Sequence, residues 1–240
     1  MIVCTKGIVI HRTKYSDNSL IVKVFTEKFG TQSFMIKSAF SKKSKVNYTR
    51  FAPLSLVELN FNSRKTGQLQ YIKEITFYYH FITIPFDIVK NSILIFYSEL
   101  IYKALYGYGE DKRLYRYIEE SIIALDKHPQ VPADIHIRFL VELCEFLGFA
   151  PHANFTEKEC HFCIQDASFT SWYSDNGDFL SVEASQYLNY ILQSSEKETT
   201  TLPSKQIRNE LLHALVKYLE IHNEGIKKIE SIEILAQILN

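Results

Sequence analysis

The sequence lacks the features that mark secreted and membrane-spanning proteins. Its four cysteines, at positions 4, 144, 160 and 163, do not have the spacing of a disulfide framework. The opening residues carry polar side chains where a secretory signal would need an apolar core. In the most apolar stretch, residues 81–106, the longest run without a charge extends only from Asn91 to Ser98, far too short to span a bilayer. We therefore expect a soluble, reduced protein of the cytoplasm.

Signatures of catalysis are missing as well. The chain has no G-x-S-x-G, no phosphate-binding G-x-x-x-x-G-K-[ST] and no H-E-x-x-H. Its eight histidines are scattered, and none has the spacing to a carboxylate or thiol that a known catalytic pattern requires. The sequence therefore predicts a protein that is not an enzyme.

The charges are unevenly distributed along the chain, although the formal net charge is zero. Residues 1–80 contain 13 Lys and Arg against four Asp and Glu, a net charge of +9. Residues 81–240 contain the other 14 bases against 23 acids, a net charge of −9. This asymmetry indicates that the two parts of the chain meet different partners.

The first 80 residues alternate between apolar and polar side chains, as half-buried strands do. Polar turns separate five such stretches: GIVIH, SLIVKVFT, TQSFMIKSA, LSLVELNF and GQLQYIKEITFYY. Five short strands with a longer connection after the third favour a small barrel of the OB type, and the strand count also fits an SH3-like barrel. We predict a nucleic-acid-binding domain of this kind at residues 1–80.

After Pro85 the apolar period changes to that of helices. Ser204 is placed to cap one of them, and Gly148 to end another. The predicted helical segments are FDIVKNSILIFYSELIYKALYG, EDKRLYRYIEESIIALDKH, VPADIHIRFLVELCEFLGFAP, SVEASQYLNYILQ, KQIRNELLHALVKYLEIHNEG and IESIEILAQILN. We predict an α-helical bundle domain at residues 81–240, with an irregular insert at about 150–180 and an α+β fold class for the whole chain.

Basic residues of the first domain are interleaved with aromatic residues. Single-stranded nucleic acid is bound in this way, because cations contact the phosphates while bases stack on the rings. The predicted contacts are Arg12, Lys14, Lys23, Lys37, Lys42, Lys43, Lys45, Arg50, Arg64 and Lys65. An OB barrel that binds protein through a strand edge, and one that binds RNA, stay open as alternatives.

The segment CHFC, with Cys160 and Cys163, has the spacing of half a zinc site. A zinc ribbon would return its second cysteine pair after the turn Asp175-Asn176-Gly177-Asp178, which is typical of a hairpin. This chain has Ser181 and Ala184 at the matching spacing. Since neither is a useful ligand, we expect a degenerate zinc-ribbon-like insert and no bound cofactor, although His152, His161 and Asp166 could complete an irregular site.

An ordered set of segments resembles the RecO family of recombination mediators. The resemblance is carried by GIVIHRTKYSDNSLIVKVFTEKFGTQSFMIKSA, PLSLVELNF, GQLQYIKEI, FYSELIYKAL and RFLVELCEFLGFAP. It implies an OB barrel followed by a helical bundle, the binding and annealing of single-stranded DNA in repair, and assistance to RecA loading together with RecR. Many members carry a four-cysteine zinc ribbon, of which this chain keeps only the first pair.

The resemblance also implies the single-strand-binding protein as a partner. An apolar peptide with an acidic end, such as the tail of that protein, needs a groove between helices and a nearby cation. The arginines of the second domain before residue 200 are Arg113, Arg116 and Arg138, which we expect to contact partners.

Overall fold

The computed structural model describes residues 2–37, 39–40, 48, 51–62, 68–193 and 202–239. It contains two compact units, which we call the barrel unit, Met1–Pro129, and the second unit, Gln130–Asn240. Among the described residues, no helix is long and apolar enough to cross a membrane.

The barrel unit begins with five strands: β1 (Ile2–Lys14), β2 (Ser19–Thr26), β3 (Gly30–Lys37), β4 (Leu56–Asn62) and β5 (Gln70–Phe77). They form a closed barrel in the order β1-β2-β3-β5-β4. The only parallel pair among the described strands joins β3 to β5 and closes the barrel, with Met35 opposite Tyr71. The predicted five-stranded OB barrel is confirmed.

Alternation of side chains accounts for the core of this barrel. On β2, Leu20, Val22 and Val24 are fully buried, whereas the intervening residues face outward. The same pattern on β3 buries Phe34 and Ile36 against Leu59 of β4. β1 is longer than predicted because it pairs with β4 along its first half and with β2 along its second half.

Two helices follow within the same unit, α1 (Ile88–Ala104) and α2 (Lys112–Lys127). Each begins at a capping aspartate: Asp87 accepts hydrogen bonds from the N–H groups of Val89 and Lys90, and Asp111 caps α2 in the same way. α1 buries only one face and leaves Ile88 and Ile95 exposed, although its sequence is apolar almost all round.

The first compact unit therefore extends beyond the predicted domain boundary at residue 80. Tyr78, just after β5, donates a hydrogen bond to Glu119 of α2 and lies 3.2 Å from the hydroxyl of Tyr115. His11 of β1 stacks on Tyr102 of α1 with 4.2 Å between ring centroids. These contacts attach α1 and α2 to the barrel.

Asp126, near the end of α2, is the centre of this attachment. Its fully buried carboxylate accepts hydrogen bonds from the backbone N–H groups of Ile82, Thr83 and Ile84 at 2.9–3.2 Å. It also accepts one from the hydroxyl of Tyr79 at 2.9 Å. A buried carboxylate with this many donors fixes the segment that leads from the barrel into α1.

The second unit contains four helices and a short hairpin within its described residues. They are α3 (Ile135–Phe146), β6 (His161–Cys163), β7 (Ser168–Thr170), α4 (Val182–Gln193), α5 (Lys205–His222) and α6 (Ser231–Ile238). Two end signals are confirmed: the Ser204 hydroxyl accepts a hydrogen bond from the N–H of Ile207, and Gly148 has a φ of 87° just after α3.

The predicted hairpin turn at Asp175–Asp178 requires a correction. The hairpin of this insert is β6–β7, and its turn lies at residues 164–167. The later turn, with Gly177 at a φ of 79°, returns the chain to the other edge of β6, where Phe179 bridges Cys163. The sequence correctly predicted a turn at these residues, but it could not show which strand the chain pairs with after the turn.

Candidate nucleic-acid interface

The outer face of β2 and β3 is the first candidate interface. Side chains that alternate with the buried core residues point outward here: Ile21 and Lys23 on β2, and Ser33, Met35 and Lys37 on β3. In OB barrels, this face of strands 2 and 3 binds oligonucleotides. Its position in the fold therefore favours this face as a site of nucleic-acid contact.

One end of this face carries a cluster of one lysine and three rings. The Nζ atom of Lys23 lies 3.6 Å from the ring centroid of Tyr106 and 5.8 Å from that of Tyr102. His11 lies opposite Lys23 in the strand register and stacks on Tyr102. Burial, and to a lesser degree the neighbouring charge of Lys23, lowers the pKa of His11. Lys23 is therefore the cation of this cluster at neutral pH.

The other end of the face carries a pair of one lysine and one tyrosine. The Nζ atom of Lys37 lies 5.5 Å from the ring centroid of Tyr71, which β5 places beside Met35. Lys37 is four residues along β3 from Ser33, the partner of Lys23, and this corresponds to about 13 Å. We call Lys23, Lys37, Tyr71 and Tyr106 the outer-face cluster.

A different set of cations lies at the end of the barrel where β1 finishes. The guanidinium of Arg12 lies 4.0 Å from the ring centroid of Tyr48, and its Nη1 donates a 2.9 Å hydrogen bond to the Tyr48 carbonyl oxygen. Tyr48 stacks on Phe40 at 5.2 Å, and the Nζ atom of Lys14 lies 5.8 Å from the Phe40 ring. We call Arg12, Lys14, Phe40 and Tyr48 the mouth cluster.

The structure thus places four of the ten predicted nucleic-acid contacts, and it divides them into two pairs. Arg12 and Lys14 belong to the mouth cluster, whereas Lys23 and Lys37 belong to the outer-face cluster. The other six lie outside the described residues: Lys42, Lys43, Lys45, Arg50, Arg64 and Lys65. Tyr102 and Tyr106 were missed because they belong to α1 and the turn after it, and only a long-range contact brings them to the barrel.

Two hydrogen bonds from Thr31 fix the turn that carries Tyr106. The Thr31 N–H donates to the carbonyl oxygen of Tyr108 at 2.9 Å. The Thr31 hydroxyl donates to the carbonyl oxygen of Leu105 at 2.7 Å. Gly30 makes this approach feasible: it has a φ of 62°, and a Cβ atom there would lie 2.4 Å from the carbonyl carbon of Gly109. The turn that carries Tyr106 is therefore held close to the start of β3.

The three predicted partner arginines belong to two different units. Arg113 and Arg116 are exposed on α2 of the barrel unit. Arg138 lies on α3 of the second unit, where its Nε donates to the buried Asp134 at 2.6 Å and its guanidinium lies 5.7 Å from the ring centroid of Tyr190. Tyr187 of α4 donates a second hydrogen bond to Asp134, at 2.7 Å. Arg138 is thus a cation at the packed contact of α3 with α4.

The insert holds hydrogen bonds where a zinc ribbon would have its second cysteine pair. The N–H of Ser181 donates to the carboxylate of Glu210 at 2.6 Å, and its hydroxyl donates to the other oxygen at 2.9 Å. That hydroxyl also accepts a bond from the N–H of Ala184 at the start of α4. Over the described ranges, no three His, Cys, Asp or Glu side chains converge so that they could hold a metal ion. The residues present therefore do not fit the four-ligand site that the family resemblance implies.

Comparison with protein families decides which proteins this chain is related to. Residues 1–81 match the family model of the recombination protein O N terminal, and residues 85–229 match that of the recombination protein O C terminal. The chain belongs to the RecO family. The junction of the two RecO models, between residues 81 and 85, lies at the segment that Asp126 holds.

Curated relatives match almost the whole chain. A DNA repair protein RecO of Phocaeicola vulgatus is 31% identical over 237 residues, covering 98% of both chains. One of Flavobacterium psychrophilum is 32% identical over 238 residues with the same coverage, and one of Azobacteroides pseudotrichonymphae is 30% identical over the full length of both. The chain is therefore a RecO-family DNA repair protein along its whole length.

Proposed function

We propose that the barrel unit binds single-stranded DNA and anneals complementary strands, and that the chain helps RecA to load together with RecR. The observation that carries the DNA-binding proposal is the outer-face cluster. Two lysines, each beside an exposed or half-exposed tyrosine, lie on the face that OB barrels use for oligonucleotides. Cations can follow the phosphates of a single strand while its bases stack on rings, at about 1–3 kcal/mol per base.

Sequence-independent binding follows from this arrangement. Lysine and tyrosine side chains present charge and ring faces, and every base has a ring face that can stack. Because the interaction with phosphates releases counterions, affinity should fall steeply with salt. A barrel that only docked proteins through a strand edge would show no such dependence.

Replacing Lys42, Lys43 and Lys45 together by alanine should weaken the binding of single-stranded DNA without unfolding the protein. These residues lie outside the alternating strands in the sequence, so their charge has no packing role that could be lost. Each phosphate contact adds about −0.7 to the slope of log K against log salt for single strands, so two or three lost contacts should flatten it by roughly 1.4–2 units. Fluorescence anisotropy of a labelled oligonucleotide over a range of salt concentrations measures this slope.

The control for this experiment is Lys127→Ala, which removes one exposed lysine from the end of α2 and should leave the slope unchanged. Glu119 would be a poor control, since it accepts hydrogen bonds from Tyr78 and Lys6. An unchanged slope in the triple variant would show that these lysines do not touch DNA. Competition with RNA of the same sequence separates DNA binding from the binding of single strands in general.

We propose Arg138, Arg113 and Arg116 as contacts for acidic ends of partner proteins, with the single-strand-binding protein as the first candidate. Arg138 lies beside the half-buried Tyr190, whose ring offers an apolar surface next to the charge. In calorimetry on the full chain, Arg138→Gln should weaken the binding of an apolar peptide with an acidic end at least tenfold, and Arg138→Lys should weaken it less. If the unaltered chain and both Arg138 variants bound the peptide with equal affinity, Arg138 would be excluded as a contact.

A further inference from the structure

Neighbouring residues of β1 send their side chains to opposite sides of the barrel wall. Residues directly opposite each other in an antiparallel pair have their side chains on the same side. His11 pairs with Lys23, whose side chain is on the outer face. Arg12 pairs with Val22 and Lys14 pairs with Leu20, and both of these partners are fully buried in the barrel core.

The mouth cluster therefore continues the inner row of side chains past the end of the core. Phe40 and Tyr48 pack against that core from one side, while Arg12 and Lys14 lie at the two ends of their stack. His11, one residue before Arg12 on β1, points to the other side of the wall, where it lies opposite Lys23 of the outer-face cluster. The two clusters are thus separate surfaces, although the β-strand β1 borders both.

The cations of the mouth cluster are available to a phosphate. Lys14 is paired with Asp17 at 3.1 Å, but both side chains are well exposed, at 60% and 99%, and such surface pairs contribute little. The hydrogen bond of Arg12 to Tyr48 uses one of the five N–H donors of its guanidinium. Tyr15, beside Lys14 in sequence, adds an exposed ring. The chemistry matches that of the outer face: two cations with aromatic rings.

We propose that one barrel holds two single strands at the same time, one on the outer-face cluster and one on the mouth cluster. The proposal rests on the proposed function and explains how a single chain brings complementary strands together. Each surface neutralises the phosphates of its own strand, so two strands that repel each other in solution lie on either side of one layer of sheet. The β1–β2 ribbon is the element that both strands contact.

Counting bound oligonucleotides tests the proposal. Non-complementary single strands of about eight nucleotides, within the usual site size of an OB fold, are titrated onto the full chain at concentrations well above the dissociation constant. Light scattering on the same samples gives the number of chains per particle. Lys23→Gln with Lys37→Gln removes charge from the outer face, Arg12→Gln with Lys14→Gln removes it from the mouth, and Lys127→Gln serves as the control.

We expect two strands per chain for the unaltered protein and the control, and one for each double variant. Donor-labelled and acceptor-labelled strands bound together should show energy transfer that both double variants abolish. One strand per chain for the unaltered protein, with both double variants weakening that one event, would mean a single continuous path and would overturn the two-surface proposal while leaving DNA binding intact. No binding by the unaltered protein would overturn the proposed function as well.

Discussion

Replacing Asp126 by alanine should lower the free energy of unfolding of the barrel unit by about 3–5 kcal/mol. The carboxylate accepts hydrogen bonds from three successive backbone N–H groups and from the hydroxyl of Tyr79. Without it, the backbone donors of Ile82 and Ile84 lose their partner, and Lys90, which donates to the carbonyl oxygen of residue 126 at 3.0 Å, loses the nearby negative charge. Urea denaturation followed by circular dichroism measures the loss.

Two further variants make this result specific. Asp126→Asn keeps one acceptor oxygen and should fall between the wild type and the alanine variant. Glu120→Ala removes an exposed carboxylate from the same helix and should change stability by less than about 0.5 kcal/mol. If Asp126→Ala cost no more than Glu120→Ala, the segment that leads into α1 would have to be held by other contacts.

The same carboxylate gives stability a defined pH dependence. Burial alone would raise the pKa of Asp126, but the hydrogen bonds from Ile82, Ile84 and Thr83 outweigh burial and lower the pKa to about 2. A group whose pKa is lower in the folded state stabilises the fold above its unfolded value, about 3.9, and loses that contribution as the pH falls through 2. Between pH 4 and pH 2, the free energy of unfolding of the wild type should therefore fall by about 2 kcal/mol more than that of Asp126→Asn.

Introducing two cysteines into the insert should create a four-thiolate zinc site. The N–H of Leu180 donates to the carbonyl oxygen of Phe162 at 3.0 Å, and the N–H of Phe162 donates to the hydroxyl of Ser185 at 2.9 Å. These bonds place residues 180–185 beside Cys160 and Cys163. Ser181→Cys with Ala184→Cys should therefore bind one zinc ion per chain, since four thiolates close a tetrahedral site. Structural zinc sites of this kind contribute about 10–16 kcal/mol of apparent binding free energy in peptides.

The natural chain should contain well under one zinc per chain and keep its melting temperature in chelator. Elemental analysis of purified protein and thermal unfolding with and without chelator measure both quantities, and Ser181→Cys alone is the control for the double variant. Stoichiometric zinc in the natural chain would point to His152 or His161 as ligands. A folded double variant that bound no zinc would show that the insert does not retain the register of a zinc ribbon.

Local periodicity was sufficient to predict much of the barrel. β2 has the predicted bounds, and its half-buried and buried residues alternate from Ser19 to Val24. β1 was predicted too short, since Gly7 and the irregularity near Ile10 interrupt its alternation while pairing with two neighbours continues. The alternation along a strand depends only on residues that are close together in the sequence, so it can be recognised from the sequence alone.

The candidate site was predicted only in part, for a different reason. Lys23 and Lys37 were identified because charge beside alternating strands is visible in the sequence. Their ring partners were not: Tyr106 is 83 residues from Lys23 and was assigned to another domain. The hydrogen bonds of Ser181 to Glu210 were missed likewise, because their partners are 29 residues apart and belong to different elements.

The close approach of Gly30 to Gly109 has a consequence for how this protein can be divided. A fragment that stops at the end of the first family match, residue 81, would omit the turn that Thr31 holds, the rings of Tyr102 and Tyr106, and the carboxylate of Asp126. Phe25, which is fully buried and packs its ring against Tyr115, would then face water. Sequence families and folding units need not share their borders. In this chain the compact unit that contains the barrel runs to Pro129, and experiments on isolated halves should cut there.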